Sequence, residues 1–116
     1  MKSNTIPIAR SLPASASAAA QHRQPLVMMF TLNGCPFCDV VHDNYLAPLV
    51  STGQVHAVLL NMRDRDLPLL DWQGQSTRHA DMAKTHRIRV APTLLFVDAK
   101  GNELTKRLTG MSSVDF

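Results

Sequence analysis

The sequence has few cysteines, few aromatic residues and no long apolar run. Among 116 residues there are 2 Cys, 1 Trp and 1 Tyr, and aromatic side chains make up 5% of the chain. Two cysteines exclude the multi-disulfide framework of small secreted scaffolds. No apolar run reaches the roughly 18 residues that a membrane-spanning helix needs. With only 5 Gly and 7 Pro, the composition also excludes collagen-like and low-complexity chains.

The charged residues are mixed in sign along the chain. There are 12 basic and 9 acidic residues, a net charge of +3, and they alternate in segments such as Arg63-Asp64-Arg65-Asp66. No basic block carries interleaved aromatic residues, so no nucleic-acid partner is predicted. A hydrophobic content of 45% over 116 residues predicts one compact domain.

The two cysteines form the motif Cys35-Pro36-Phe37-Cys38. A disulfide that closes so short a loop stabilises a fold only weakly, which argues against a purely structural role. The apolar run 26–32 before the motif is typical of a strand buried on both faces, and Asn33-Gly34 ends it. Proline in the motif suits the first turn of a helix. The motif is therefore predicted to lie at a strand-to-helix turn.

The other patterns predict an α/β domain with the order α-β-α-β-α-β-β. Helices are predicted at 12–23, from Pro36 onward and at 77–87, and Pro48 should kink the second of them near 44–46. Besides the run at 26–32, strands are predicted at 55–62, 93–97 and 103–109. The segment 63–76 is predicted to be a loop with one short element at 67–72. We divide the chain into an N-terminal extension, 1–11, and a domain, 12–116.

This placement gives the two thiols different roles. The dipole and unpaired N–H groups of a helix N-terminus stabilise a thiolate, and Cys35 stands at the start of the predicted helix. Cys38 lies one turn further on, where it can attack a mixed disulfide formed on Cys35 and release the partner. We therefore predict a dithiol–disulfide oxidoreductase with Cys35 attacking and Cys38 resolving.

Metal binding is the alternative function that the sequence leaves open. His42 lies four positions after Cys38, so Cys35, Cys38 and His42 could converge on a soft metal ion in a metal-binding or metal-delivery protein. A pair of cysteines with one histidine lacks the second ligand pair of a closed zinc site.

Two segments, Phe30 to Cys38 and Ala83 to Phe96, resemble the thioredoxin superfamily, and the resemblance covers about 12–110. The Gly-Cys-Pro-Phe-Cys turn, His79-Ala80 and Gly110 are most similar to SoxW-type periplasmic thioredoxin-related proteins. The resemblance implies a thioredoxin-like fold, with a central mixed β-sheet flanked by helices. It also implies protein thiol or disulfide substrates, an upstream redox partner, and no cofactor beyond the redox-active disulfide.

The resemblance also assigns roles to single residues. It implies that Pro92 is a cis proline facing the disulfide, and that Ala91 offers backbone groups to a substrate strand. Pro36 and Phe37 are the other predicted substrate contacts. Thioredoxin itself resembles this chain but has a buried acidic residue at the position of Met29.

Thioredoxin also has a tryptophan where this chain has Gly34. The SoxW-type similarity and the absence of a third cysteine favour a periplasmic location. No leader is visible at the N-terminus, so a cytoplasmic location is the alternative.

The C-terminal sequence ends soon after the last predicted strand. Thioredoxin-like proteins continue into a helix that covers one sheet face, and here the remaining residues, 110–116, are too few for it. We therefore expect a truncated C-terminal helix and an exposed face formed by Leu94 and Phe96, or by Leu95 and Val97. Such a face would promote self-association.

Overall fold

The computed structural model describes residues 6–110 as a mixed β-sheet with helices on both faces. The helices are α1 (Leu12–Gln21), α2 (Pro36–Val40), a π-helical segment (Val41–Leu46), α3 (Ala47–Ser51) and α4 (His79–Thr85). The strands are β1 (Leu26–Thr31), β2 (His56–Asn61), β3 (Pro68–Leu70), β4 (Ser76–Arg78), β5 (Thr93–Val97) and β6 (Leu108–Thr109). No helix in this part of the chain is long and apolar enough to cross a membrane.

Strand β1 lies inside a four-stranded sheet with the order β2-β1-β5-β6. It runs parallel to β2, with Leu26 opposite His56, and antiparallel to β5, with Leu26 opposite Val97. Strand β6 pairs antiparallel with β5. The sheet is thus mixed, as predicted, and β1 is its buried central strand.

Alternate side chains of β1 pack into two separate apolar clusters. Met28 and Phe30 face the cluster that α1 and α4 cover. Val27 and Met29 face the opposite cluster, which the helical segment after the cysteine motif covers. Because both faces are buried, the strand sequence is apolar throughout, and this explains the continuous run at 26–32.

Local interactions determine where helix α1 begins and ends. The Ser11 hydroxyl accepts a hydrogen bond from the N–H of Ala14 at 3.2 Å, which caps the first turn. Arg23 has φ +57°, outside the helical region, and the N–H of Gln24 bonds back to the Ala19 carbonyl. The helix therefore ends at Gln21, two residues before the predicted end.

The segment predicted as a loop at 63–76 instead contains a β-hairpin. Strands β3 and β4 pair antiparallel, so Thr77 and Arg78 belong to β4, not to the following helix as predicted. The turn between them, 71–75, repeats the turn at 98–102. Each turn begins with an aspartate whose side chain accepts hydrogen bonds from the backbone N–H groups two and four residues later. Glycine is the fourth of the five residues in each turn.

Trp72, on the first of these turns, packs against Gly101 on the second. A Cβ at Gly101 would lie 2.5 Å from Cε2 of the indole ring. The indole N–H donates to Nε2 of His86 at 3.2 Å. The hairpin is thereby attached to the end of α4 and to the β5–β6 turn.

The predicted last strand, 103–109, is wrong over most of its length. Glu103 makes a single bridge with Val97, and regular pairing returns only at β6. The N–H of Leu104 still donates to the Phe96 carbonyl at 2.7 Å, but the residues after it leave the sheet. There the Arg107 guanidinium bonds the Glu103 carboxylate at 2.7 Å and the His86 carbonyl at 2.9 Å.

Residues 6–11, which we assigned to an extension, pack against the domain. Ala9 and Pro7 exchange backbone hydrogen bonds with Leu59, and the N–H of Leu70 donates to the Arg10 carbonyl. His79, with no exposed surface, holds this segment in place. Its Nδ1 accepts the N–H of Asn61 at 3.1 Å, and its Nε2 lies 3.0 Å from the carbonyl oxygen of Ala9.

The predicted exposed sheet face is largely buried. Leu95 and Val97 have no exposed surface because they face the cluster under α1 and α4, and Leu94 is 8% exposed beneath the cysteine-motif helix. Phe96 is only partly buried. These strand residues therefore do not provide the surface for self-association that we expected. The predicted C-terminal helix position, 111–116, lies outside the described residues.

We predict that Gly101→Ala destabilises the protein more than Gly74→Ala. Both glycines occupy the same turn position, with φ +86° and +78°, but a Cβ at Gly74 would meet nothing within 4 Å. The backbone penalty of about 1–2 kcal/mol is shared, whereas the contact with Trp72 adds about 1–3 kcal/mol at Gly101 alone. Urea unfolding measures the free energy of unfolding of both variants. Equal losses of stability would show that the packing of the Trp72 indole does not depend on Gly101.

A second prediction concerns the buried histidine. Burial lowers the pKa of His79, against the opposing effects of its bond to Ala9 and the charge of Asp64. The unfolded chain then binds more protons below about pH 6.5, so stability should fall as the pH falls through this range.

His79→Leu should weaken this pH dependence and lower the free energy of unfolding at neutral pH by about 2–4 kcal/mol, since two buried backbone groups lose their partners. His22→Leu, at an exposed histidine, is the control. Denaturant titrations at several pH values provide the measurement. An unchanged pH slope in the His79 variant would contradict the assignment.

Candidate active site

The cysteine motif begins where β1 ends and the covering helix starts. Gly34 has φ +70°, a left-handed conformation that favours glycine, and lets the chain turn from strand to helix. Cys35 is the N-cap residue of α2, and its Sγ accepts the N–H of Cys38 at 3.2 Å. Pro36 occupies the first helical position, where its missing N–H costs nothing. The structure thus places the motif at the predicted strand-to-helix turn.

The two sulfur atoms are joined in a disulfide but differ in their access to solvent. The Cα atoms of Cys35 and Cys38 are 5.2 Å apart. Cys38 is 2% exposed, whereas Cys35 is only partly buried. Phe37, between them in sequence, is 44% exposed beside the exposed Pro36. The Cys35 side of the disulfide is therefore accessible, and the exposed apolar side chains of Pro36 and Phe37 lie beside it.

The loop before β5 lies against the motif. Sγ of Cys35 is 3.8 Å from the carbonyl oxygen of Ala91, and the Ala91–Pro92 peptide bond is cis. The N–H of Gly110 donates to the Pro92 carbonyl at 2.8 Å, and the Thr93 hydroxyl donates to the Val90 carbonyl at 2.7 Å. Two hydrogen bonds therefore fix the loop on either side of this peptide bond.

Cys38 is surrounded by apolar side chains. Met29, 1% exposed, belongs to the same cluster, as do Val41, Leu46 and Ala47 from the helix above. Burial among apolar side chains disfavours the ionised form of a thiol relative to water.

The helix that carries the cysteines is irregular, as the sequence predicted from Pro48. Proline has no N–H to donate to the carbonyl of Asn44, and the preceding residue, Ala47, bonds to His42 five positions back. This spacing makes the π-helical segment between α2 and α3.

His42 does not join the cysteines. Its Nδ1 lies 2.8 Å from Oδ1 of Asp43, at the surface. Within residues 6–110, no three His, Cys, Asp or Glu side chains are arranged to hold a metal ion. The predicted metal set of Cys35, Cys38 and His42 therefore has no support in the structure.

One group of residues near the motif was not identified from the sequence. Asn33, next to the turn glycine, accepts a hydrogen bond from the Asn61 side-chain amide at 3.2 Å. Arg63 and Arg65 line a cleft beside this pair. The alternating charges directly after a predicted strand of an α/β domain were the available signal, because the carboxyl ends of strands in such domains often line binding sites.

Comparison with known proteins identifies the fold. A family model for the thioredoxin-like domain matches residues 12–115. The structure is similar to thioredoxin O2 from Arabidopsis thaliana in its oxidised state, with 17% identity, a TM-score of 0.62, and coverage of 99% of this chain and 90% of that one. No curated protein matches the sequence.

Two further solved structures have the same fold. For mitochondrial thioredoxin 3 from Saccharomyces cerevisiae the identity is 16% and the TM-score 0.60, with 95% of this chain and 88% of that chain covered. For a DsbH oxidoreductase the identity is 18% and the TM-score 0.62, with 91% of this chain and 75% of that chain covered. Together with the family match, the sheet order and the cysteine turn, they show that this chain belongs to the thioredoxin-like domain family.

Proposed function

We propose that this protein exchanges disulfides with protein partners through Cys35 and Cys38. The observation that carries the proposal is the unequal placement of the two sulfurs: Cys35 is accessible at the helix N-terminus, and Cys38 is buried one turn inside. An accessible, hydrogen-bonded sulfur suits the attack on a partner. A buried neighbouring sulfur suits the intramolecular step that follows.

In the reducing direction, the Cys35 thiolate attacks one sulfur of a partner disulfide. A Cys35–partner bond forms, the partner S–S bond breaks, and the second partner sulfur leaves as a thiolate. Cys38 then loses its proton to water or to that leaving thiolate and attacks Sγ of Cys35. This closes the Cys35–Cys38 disulfide, releases the first partner sulfur, and leaves the partner reduced by two electrons. The reverse sequence oxidises a partner dithiol.

The helix N-terminus contributes to the first step. The N–H of Cys38, 3.2 Å from Sγ of Cys35, is placed to donate to a thiolate whenever the disulfide opens. Hydrogen bonds from N–H groups to an ionised acceptor are stronger than those to a neutral one. The thiolate on Cys35 is therefore favoured over that on Cys38, and this sets the order of attack.

Ala91, Pro92, Pro36 and Phe37 form the proposed contact surface for the partner chain. The N–H of Ala91 donates to no acceptor among the described residues. An extended partner segment can accept this N–H bond while its cysteine faces Sγ of Cys35, 3.8 Å from the Ala91 carbonyl oxygen. Exposed Phe37 contributes apolar contact area on the other side.

The trapping prediction follows from these roles. In Cys38→Ser the second step is blocked, so a mixed disulfide between Cys35 and a protein substrate should accumulate. In Cys35→Ser the remaining thiol is buried, and trapping should be lower by at least tenfold. Non-reducing electrophoresis and mass spectrometry of the adducts with a disulfide-containing test protein measure both.

The double variant Cys35→Ser/Cys38→Ser controls for adducts that do not depend on the motif. Equal trapping by the two single variants would contradict the assigned roles. The proposed reaction needs no cofactor beyond the cysteine pair.

We also propose that the protein acts in an oxidising compartment, the periplasm, as SoxW-type thioredoxin-related proteins do. The support is the resemblance in the cysteine turn and the absence of a third cysteine that could mispair. Fractionation of cells that express the native gene should find the protein in the periplasmic fraction. Recovery in the cytosol would contradict this proposal without affecting the exchange chemistry.

A further inference from the structure

A cleft of about 460 Å³ opens beside the cysteine turn, at the C-terminal ends of the parallel strands β1 and β2. It is lined by Leu32, Asn33, Asn61, Arg63, Asp64, Arg65 and Asp66. The chain after β1 passes to one sheet face, and the chain after β2 leads to α4 on the other. Parallel strands whose connections diverge in this way leave a crevice at their carboxyl ends, a common place for ligands in α/β sheets.

Hydrogen bonds join the cleft directly to the active-site turn. The Asn61 amide donates to Oδ1 of Asn33, and Oδ1 of Asn61 accepts the N–H of Arg63 at 3.0 Å. Asn33 precedes Cys35 by two residues, which corresponds to at most about 7 Å of chain. Between them, a Cβ placed on Gly34 would meet no heavy atom within 4 Å apart from its chain neighbours, so Gly34 borders open space.

The cleft contains two cations that have no partner within residues 6–110. Arg63 and Arg65 are exposed, and their side chains make no ion pair or hydrogen bond within the described part of the chain. Oδ1 of the neighbouring Asp64 carboxylate is already engaged, since it accepts the N–H groups of Asp66 and Leu67 at 2.7 and 2.8 Å. Asp66 is exposed and is the remaining acid of the cleft.

We infer that this cleft recognises an acidic side chain of the protein partner, located within about three residues of the partner's reacting cysteine. The inference rests on the proposed exchange function and specifies its substrates. Guanidinium groups bind carboxylates with paired, charge-assisted hydrogen bonds, and two unpaired guanidinium groups here border the route of the partner chain. The four charges of the cleft sum to zero, so selection depends on short-range contact rather than on a long-range field.

The test uses three disulfide peptides of one sequence that differ only at the position two residues from the cysteine: Glu, Gln or Lys. Rates of reduction by the wild-type protein are divided by the rates with dithiothreitol, which removes the intrinsic effect of the neighbouring charge on each disulfide. We expect the normalised rate for the Glu peptide to exceed that for the Lys peptide by about three- to tenfold.

The variant Arg63→Gln/Arg65→Gln should bring the Glu to Lys ratio close to one. Arg23→Gln/Lys100→Gln is the matched control, because it removes the same charge from residues at the opposite end of the strands, before β1 and after β5. This control should keep the wild-type ratio. Thermal unfolding of both variants checks that they are folded.

Three outcomes would overturn the inference. A wild-type ratio near one, with all peptides reduced, refutes the cleft assignment while the exchange function stands. A control variant that loses discrimination as fully as the cleft variant assigns the effect to net charge instead. Failure to reduce any of the three peptides contradicts the exchange function and the cleft assignment together.

Discussion

The burial of β1 on both faces is the constraint on which the rest of the structure depends. Side chains alternate across a strand, so an apolar sequence leaves no face for solvent, and helices must cover the sheet on both sides. Helices α1 and α4 cover one side, and the segment that starts at Pro36 covers the other. The chain must therefore turn from strand to helix directly after β1, and Cys35 occupies that turn.

The same geometry separates the two sulfurs by function. Cys35 caps the helix from outside its first turn, whereas Cys38, three residues later, faces the sheet and joins the apolar cluster with Met29. Elsewhere in the core, buried polar groups are fully paired: His79 uses both ring nitrogens, and no buried polar side-chain atom within residues 6–110 lacks a partner. The apolar surroundings of Cys38 are thus a feature of the cysteine site, whereas buried polar side chains elsewhere in the core have hydrogen-bond partners.

The features that the sequence predicted depend on local patterns. The apolar run identified β1 to within one residue of its end, Pro48 indicated the irregular helix, and the turn at 98–102 was predicted from its glycine. The turn at 71–75 has the same aspartate and glycine spacing and was missed. Its flanking strands have three residues each, too short for a periodic pattern to emerge.

The cleft beside the active site could not be predicted in the same way. Asn33 and Asn61 are 28 residues apart, and they meet only because β1 and β2 are parallel and in register to their last residues, Thr31 and Asn61. Charge alternation at 63–66 is common on exposed loops, so the pattern alone does not indicate a site. The predicted exposed face at Leu95 and Val97 failed for a related reason, because which helix covers a strand is set by tertiary packing.

The packing of Trp72 gives the protein an internal optical reporter. This residue is the only tryptophan in the chain, and its ring meets Gly101 and His86, so three segments distant in sequence form its surroundings. Its emission therefore reports whether these three segments are assembled. A protonated imidazole cannot accept the indole N–H bond and is a good quencher, so the emission should also register the charge of His86.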